Sequence, residues 1–203
     1  MRSHPRNDYV KSDGTEVSPT HVKESCRPYR KSQTPIPVFT TTTPKRWPNP
    51  KDKFRTWTKT EEAKIRAVLD QLPTSLTHVG EIRFLRSVGP SDTPAYSNSF
   101  NQVIVITDEI KSHDLKRVVA HELAHFYWDS LEDKRREEYY VAAEWKKSAD
   151  GLTASLVRRD VQIPDSYIGP HEDFTNSVEL LVHDKSLFKA SPLLLQCLEN
   201  FIQ

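Results

Sequence analysis

Two histidines and a glutamate in the middle of the chain have a spacing that suits a metal site. They are His121, Glu122 and His125, in the order H-E-x-x-H. On a helix the two imidazoles share one face, where both can bind a single metal ion. Glu122 then lies beside the ion and can act as general base toward a water that the ion activates. The motif therefore predicts one catalytic zinc ion and a hydrolase that uses it.

The residues around the motif favour the helix that this geometry needs. Apolar side chains surround it, namely Leu115, Val118, Val119, Leu123, Ala124 and Phe126. Ser112 or Asp114 can cap the N-terminus, so we predict a helix over about 114–131. Ionisable groups in such an apolar helix cost free energy unless something satisfies them, and a metal ion would do so.

A catalytic zinc ion usually has three protein ligands, so a third one has to be found. Glu144 lies nineteen residues after His125, the spacing of thermolysin-related aminopeptidases. Glu172 lies forty-seven residues after His125, at the start of a predicted helix. Spacing alone leaves both candidates open.

A wider pattern resembles a known family. The motif, the Glu144-Trp145-Lys146 segment, Tyr167 and the stretch from Glu172 to Val178 are similar to small HEXXH zinc metallopeptidases of the gluzincin type. This family includes the catalytic domain of anthrax lethal factor and the bacterial Pro-Pro endopeptidases. The resemblance covers about residues 54–184. Asn176 stands where the family has a glutamate.

The resemblance implies specific roles for individual residues. By matching position, Glu172 is the third zinc ligand with His121 and His125, and Tyr167 faces the reacting carbonyl. We therefore expect a zinc-dependent endopeptidase that hydrolyses peptide bonds with Glu122 as general base. In related folds an extended peptide lies along a strand edge, and here we assign that edge to the strand Gln102 to Thr107.

A second reading is a non-catalytic, zinc-containing binding protein that keeps a peptidase fold. The intact Glu122 argues against this reading, because a binding protein needs no general base. Asn176 and a short loop between Tyr167 and Glu172 favour it.

Charge and hydropathy restrict the partners. The 203 residues contain 29 Lys and Arg against 28 Asp and Glu, and the net charge is +1. We therefore expect a protein or peptide substrate, no nucleic acid, no membrane and a monomer. The resemblance implies a secreted or periplasmic protein, although this chain carries no signal peptide. Cys26 and Cys197 form one disulfide or are two unrelated thiols.

The composition divides the chain in two. Residues 1–50 are rich in Pro, Ser, Thr, Lys and Arg, which predicts an extended or partly disordered arm. Residues 51–203 form the expected metallopeptidase domain. Its predicted elements are a helix capped by Thr58 and Glu61, strands at 81–87 and 102–107, the motif helix, a loop-rich stretch at 145–170, and helices at 171–184 and 191–202. This order predicts an α+β, zincin-like fold, with a small mixed sheet packed against the motif helix and the C-terminal helices.

Overall fold

A computed structural model describes residues 9–10, 16–17, 37–44, 53–88, 91–148, 154–156 and 164–202. The chain divides into two compact units, Met1–Arg30 and Lys31–Gln203. In the first unit, β1 (Tyr9–Val10) and β2 (Glu16–Val17) pair antiparallel. Most of the arm predicted for residues 1–50 lies outside the described residues.

The second unit opens with short strands and a capped helix. Its first elements are β3 (Val38–Phe39), β4 (Lys53–Arg55), α1 (Lys59–Leu69) and α2 (Thr74–Thr77). The predicted capping box is confirmed. The Thr58 hydroxyl accepts from the Glu61 amide at 3.2 Å, and the Glu61 carboxylate accepts from the Thr58 amide at 3.0 Å. This exchange satisfies two backbone donors that the first turn leaves free.

The central sheet is small and mixed. It is completed by β5 (Arg83–Val88), β6 (Ala95–Asn98) and β7 (Val103–Ile106), and its order is β3-β5-β7-β6, with β4 also paired to β5. β5 pairs parallel with β3 and β7, whereas β6 runs antiparallel to β7. The strands predicted at 81–87 and 102–107 are therefore confirmed as β5 and β7.

The expectation that the strand at 102–107 forms the sheet edge is wrong. β7 is hydrogen-bonded on both sides, and β6 forms the edge instead. All four residues of β7 are buried, because it is apolar on both faces. Ile104 and Ile106 face the helices, while Val103 and Val105 pack with Leu85 on the opposite face. Such a continuous apolar run is typical of an interior strand.

The C-terminal half is mainly helical. It comprises α3 (Leu115–Ser130), α4 (Asp133–Ala142), the hairpin of β8 (Trp145–Lys147) and β9 (Ala154–Leu156), α5 (Pro170–His183) and α6 (Pro192–Phe201). The predicted motif helix is confirmed as α3, and the last two predicted helices as α5 and α6. We did not predict α4, in which Tyr139 is the buried residue.

Helices and sheet together form a mixed α+β unit. α3 packs most extensively on α5, and it also contacts α1, α2 and the edge strand β6. None of the described helices is long and apolar enough to cross a bilayer. Cys197 on α6 forms no disulfide with any described residue, and burial raises the pKa of its thiol to about 11. Cys26, its candidate partner, lies outside the described residues.

Candidate metal centre

The two motif histidines lie on one face of α3, as their spacing requires. The helix is fixed at its start by Asp114, whose carboxylate accepts from the amides of Lys116 and Arg117 at 2.9 and 3.3 Å. Asp114, and not Ser112, is therefore the N-cap. The buried face of α3 holds the helix against the core, so the position of both imidazoles is set by packing.

Glu172 meets these histidines from α5. It lies in the first turn of that helix, after Gly169 at the N-cap and Pro170 at the first helical position. Proline is favoured there because its missing N–H has no partner to lose. The helix N-terminus also favours a carboxylate electrostatically. Local sequence thus starts α5 at the point where it brings Glu172 to α3.

His121, His125 and Glu172, which we call the metal cluster, offer ligand atoms that all lie within 4.8 Å of one another. Nε2 of His121 is 3.8 Å from Oε2 of Glu172, and Nε2 of His125 is 3.9 Å from Oε1. Tetrahedral zinc with bonds of about 2.0–2.1 Å has ligand atoms roughly 3.4 Å apart. The donor set and its spacing therefore fit a divalent ion such as zinc, once the ligand atoms move slightly closer together.

The ring nitrogen of His121 that points away from the cluster is held by a carboxylate. Nδ1 of His121 lies 3.2 Å from Oε2 of Glu179 on α5. Arg117 in turn donates to Oε1 of Glu179 through Nε and Nη2, at 2.9 and 2.6 Å. This arrangement places a proton on Nδ1 and leaves Nε2 free to bind a metal.

His125 is supported differently, by another imidazole. Its Nδ1 lies 2.8 Å from Nε2 of His171, and the His171 ring stacks on Trp128 at 5.9 Å between centroids and 12° between planes. Burial, with His121 and His171 nearby, lowers the pKa of His125 to about 3, and burial also lowers the pKa of His171. Both rings are thus neutral near pH 7, which is the form that binds a metal.

Negative charge surrounds His121. Burial lowers the pKa of His121, but its hydrogen bond to Glu179 and the charges of Glu122, Glu179 and Glu172 outweigh this, so the pKa is raised overall. The surroundings of this imidazole therefore stabilise a positive charge at the cluster.

Glu122 lies between α3 and the edge strand. It is 6% exposed, and burial raises its pKa despite a hydrogen bond from Ser97 of β6 and the charge of His121. A buried carboxyl with a raised pKa is a better proton acceptor than one in water. This property suits the general base predicted for this position.

The other sequence candidates are not members of the metal cluster. Glu144 is exposed, in the left-handed turn after α4 with φ of 59°, and it is not part of the ligand group found among the described residues. Tyr167 ends the 3-10 turn Pro164–Tyr167, just before α5, and is 57% exposed. Asn176 donates to the Ser166 hydroxyl at 3.1 Å and so ties this turn to α5.

Asp173 anchors the same end of α5. Its carboxylate is fully buried and accepts from the Tyr139 hydroxyl at 2.8 Å and from the Trp145 indole at 2.9 Å. Asp173 therefore fixes the first turn of α5 next to Glu172. The loop-rich stretch predicted around 145–170 contributes through Trp145 in β8.

Sequence reasoning missed three residues that support the cluster. Glu179 lies seven residues after Glu172, two turns along the same helix face, and this spacing was a usable signal. Arg117 lies four residues before His121 and gives the same signal. His171 directly precedes Glu172, and no spacing rule points to it. Asp129, four residues after His125, is exposed on α3, and its charge acts on His171.

Comparisons of the chain with protein families, with curated proteins and with solved structures give no match.

Proposed function

We propose that this protein is a zinc-dependent endopeptidase with a zincin-like fold of the gluzincin type. The observation that supports this most strongly is the convergence of His121, His125 and Glu172 beside the buried Glu122. These four residues combine a three-ligand donor set with a candidate general base, which is the minimum that metal-assisted hydrolysis needs.

The chain's own residues account for the proton transfers. Zinc, when bound, would supply a Lewis acid that polarises a peptide carbonyl and promotes the ionisation of water. Glu122 takes the proton of the attacking water and delivers it to the leaving amine. Its raised pKa helps it to hold the proton between these two steps. Glu179 and His171 keep Nε2 of each histidine directed at the cluster.

Tyr167 is the proposed donor to the developing oxyanion. It belongs to the turn that precedes α5, five residues before Glu172, and its exposed side chain is available to a substrate. Removal of one such donor typically lowers kcat by about 10²–10³.

The edge strand β6 offers a surface for an extended substrate. Thr107 donates its amide to the Pro94 carbonyl at 2.9 Å, so this pair of residues is hydrogen-bonded. Along β6, residues then alternate between those that hydrogen-bond to β7 and those that do not. By that alternation, Ala95 and Ser97 direct their N–H and C=O groups away from β7. A peptide that pairs with these two residues passes beside Glu122, because Ser97 also bonds that carboxyl.

The alternative is a non-catalytic, zinc-containing binding protein on a peptidase fold. The bond of Asn176 to Ser166, and not to a metal ligand, favours it. The presence of Glu122, which is not needed for binding zinc, favours the enzyme. If the protein is an enzyme, loss of the Glu122 carboxylate lowers hydrolysis. If it is a binding protein, the same loss leaves zinc binding unchanged.

The test compares the zinc-loaded wild type with Glu122→Gln, which keeps the size of the side chain and leaves all three ligands in place. Elemental mass spectrometry is expected to find about one zinc per chain in both proteins. Hydrolysis of a mixed peptide library is expected to fall by about 10²–10⁴ in the variant. Zinc binding without hydrolysis in the wild type would favour the binding protein. Equal hydrolysis by both proteins would exclude Glu122 as the base.

A further inference from the structure

Several large apolar side chains are exposed on the described surface, and three of them lie close along the chain to residues of the site. These three are Phe100 at 77%, Tyr167 at 57% and Ile168 at 74% exposure. A single exposed apolar side chain needs no explanation, but apolar groups gathered around a candidate site indicate a ligand. They belong to two separate elements, the turn after β6 and the segment before α5.

Phe100 is held outward by a rigid turn at the end of the edge strand. The turn Ser99–Asn101 packs on α3, and it is capped by the Asn98 side chain, which accepts from the Asn101 amide at 2.9 Å. Gln102 then adopts a left-handed conformation with φ of 51°. Phe100 lies three residues beyond Ser97, whose hydroxyl bonds Glu122, so it belongs to the same wall of the site as the edge strand.

Ile168 lies on the opposite wall. It precedes Glu172 by four residues and directly precedes Gly169, the N-cap of α5. A Cβ added at Gly169 would meet no atom within 4 Å, so the space beside this wall is open. The site thus has an exposed aromatic residue just after β6 and an exposed aliphatic residue just before α5.

We propose that Phe100 and Ile168 are specificity-determining residues, and that the substrate is an extended peptide with an apolar side chain on the N-terminal side of the scissile bond. This inference rests on the proposed function. A peptide antiparallel to β6 runs from its N-terminal part at the Phe100 end toward its C-terminal part at the Ala95 end. Phe100 therefore contacts the part that precedes the cut, and Ile168 contacts the same peptide from across the cluster.

The experiment measures cleavage of a mixed peptide library by the zinc-loaded protein, with cut sites read by mass spectrometry. The variants are Phe100→Ser, Ile168→Ser and, as a matched control, Val141→Ser. Val141 is 80% exposed on α4 and belongs to a separate groove lined by residues of α4 and α6. Elemental analysis checks that each variant still holds zinc, and Glu122→Gln gives the background.

We expect the wild type and Val141→Ser to prefer an apolar residue before the cut. Phe100→Ser is expected to lose roughly tenfold or more of that preference, and Ile168→Ser to lose part of it. Cleavage without an apolar preference, or the same profile in Phe100→Ser and Val141→Ser, would overturn the specificity assignment and leave the endopeptidase standing. Cleavage no higher than in Glu122→Gln would overturn both.

Discussion

Two separate clusters of charged side chains occur in the second unit, and only one of them is balanced by its own residues. In the first, Arg86 is 2% exposed and donates to Glu61 at 3.2 Å, to Asp108 at 2.6 Å and to the Ile106 carbonyl at 3.0 Å. Arg55 adds two further bonds to Glu61, at 2.9 and 2.6 Å. Two guanidinium groups therefore meet two carboxylates.

The second cluster surrounds His121 and has too little positive charge. The carboxyl groups of Glu122, Glu172 and Glu179 lie there, and Arg117 is paired with Glu179. Three carboxyl groups thus face one guanidinium, and their charges help to raise the pKa of His121 despite its burial. Uncompensated charge in a partly buried site is costly, so this cluster is suited to a divalent cation, whereas the Arg86 cluster is complete without one.

The largest loss of stability is expected from a substitution that breaks the balanced cluster around Arg86. Arg86→Met leaves the carboxylates of Glu61 and Asp108 without their central partner and the Ile106 carbonyl without a donor. We expect the free energy of unfolding to fall by about 3 kcal/mol, measured by urea denaturation. Zinc affinity is expected to stay the same, because no atom of Arg86 touches the metal cluster. A stability equal to that of the wild type would show that the Arg86 cluster does not hold β5 to its neighbours.

A different result for stability is expected when a carboxylate is removed from the metal cluster. Glu172→Ala deletes a ligand, so zinc affinity is expected to fall more than about 100-fold in competition with a chromophoric chelator. The metal-free variant is expected to be as stable as the metal-free wild type to within about 0.5 kcal/mol, or more stable, because repulsion is relieved. Glu144→Ala is the matched control and keeps both properties. If Glu144→Ala lost zinc instead, the third ligand would be Glu144.

A smaller loss is expected from the groups that orient the two histidines. Glu179→Gln keeps an acceptor for Nδ1 of His121 but removes its charge, and we expect zinc affinity to fall by about tenfold. His171→Phe keeps the stack on Trp128 but leaves Nδ1 of His125 without its acceptor, and a loss of about 10–100-fold is expected. Isothermal titration of zinc measures both. Unchanged affinity in both variants would mean that packing alone orients the imidazoles.

The sequence predicted the parts of this site that follow from local periodicity. His121, Glu122 and His125 share a helix, the capping box predicted the start of α1, and apolar spacing predicted the ends of α3 and α5 to within one residue. The contacts His121–Glu179 and His125–His171 join residues 58 and 46 positions apart, so they depend on how α5 packs on α3. No local pattern fixes that packing.

The edge strand was misassigned for a different reason. The edge was assigned to β7 by analogy with related folds, but β7 is apolar on both faces, and such a strand belongs in the sheet interior. The polar Ser97 and Asn98 weaken the strand pattern of β6, although polar residues are common on an edge. α4 was missed because it is dominated by charged residues and buries little of its surface.

The smallest change in stability is expected from a substitution that separates charge from hydrogen bonding within the Arg86 cluster. Glu61→Gln keeps the capping box, because glutamine serves at that position, but it removes the charge that Arg55 and Arg86 share. The hydrogen bond from Arg55, with those from Thr58 and Arg86, outweighs burial and lowers the pKa of Glu61 in the folded protein. The unfolded chain therefore binds this proton more readily. The stabilisation by Glu61 is fully present above 4.5, the ordinary pKa of a glutamate. It is lost as pH falls through the lower pKa that Glu61 has in the folded protein.

Urea denaturation of the wild type and Glu61→Gln at a series of pH values measures this difference directly. At pH 7 we expect the variant to be less stable by about 1 kcal/mol, since Glu61 is partly exposed and its pairs are screened by solvent. The gap is expected to narrow as pH falls below about 4.5, because the wild-type carboxylate then becomes protonated. A stability difference that stays constant down to the lowest pH of the series would assign the stabilisation to hydrogen bonds alone. The two clusters would then differ in geometry and not in charge balance.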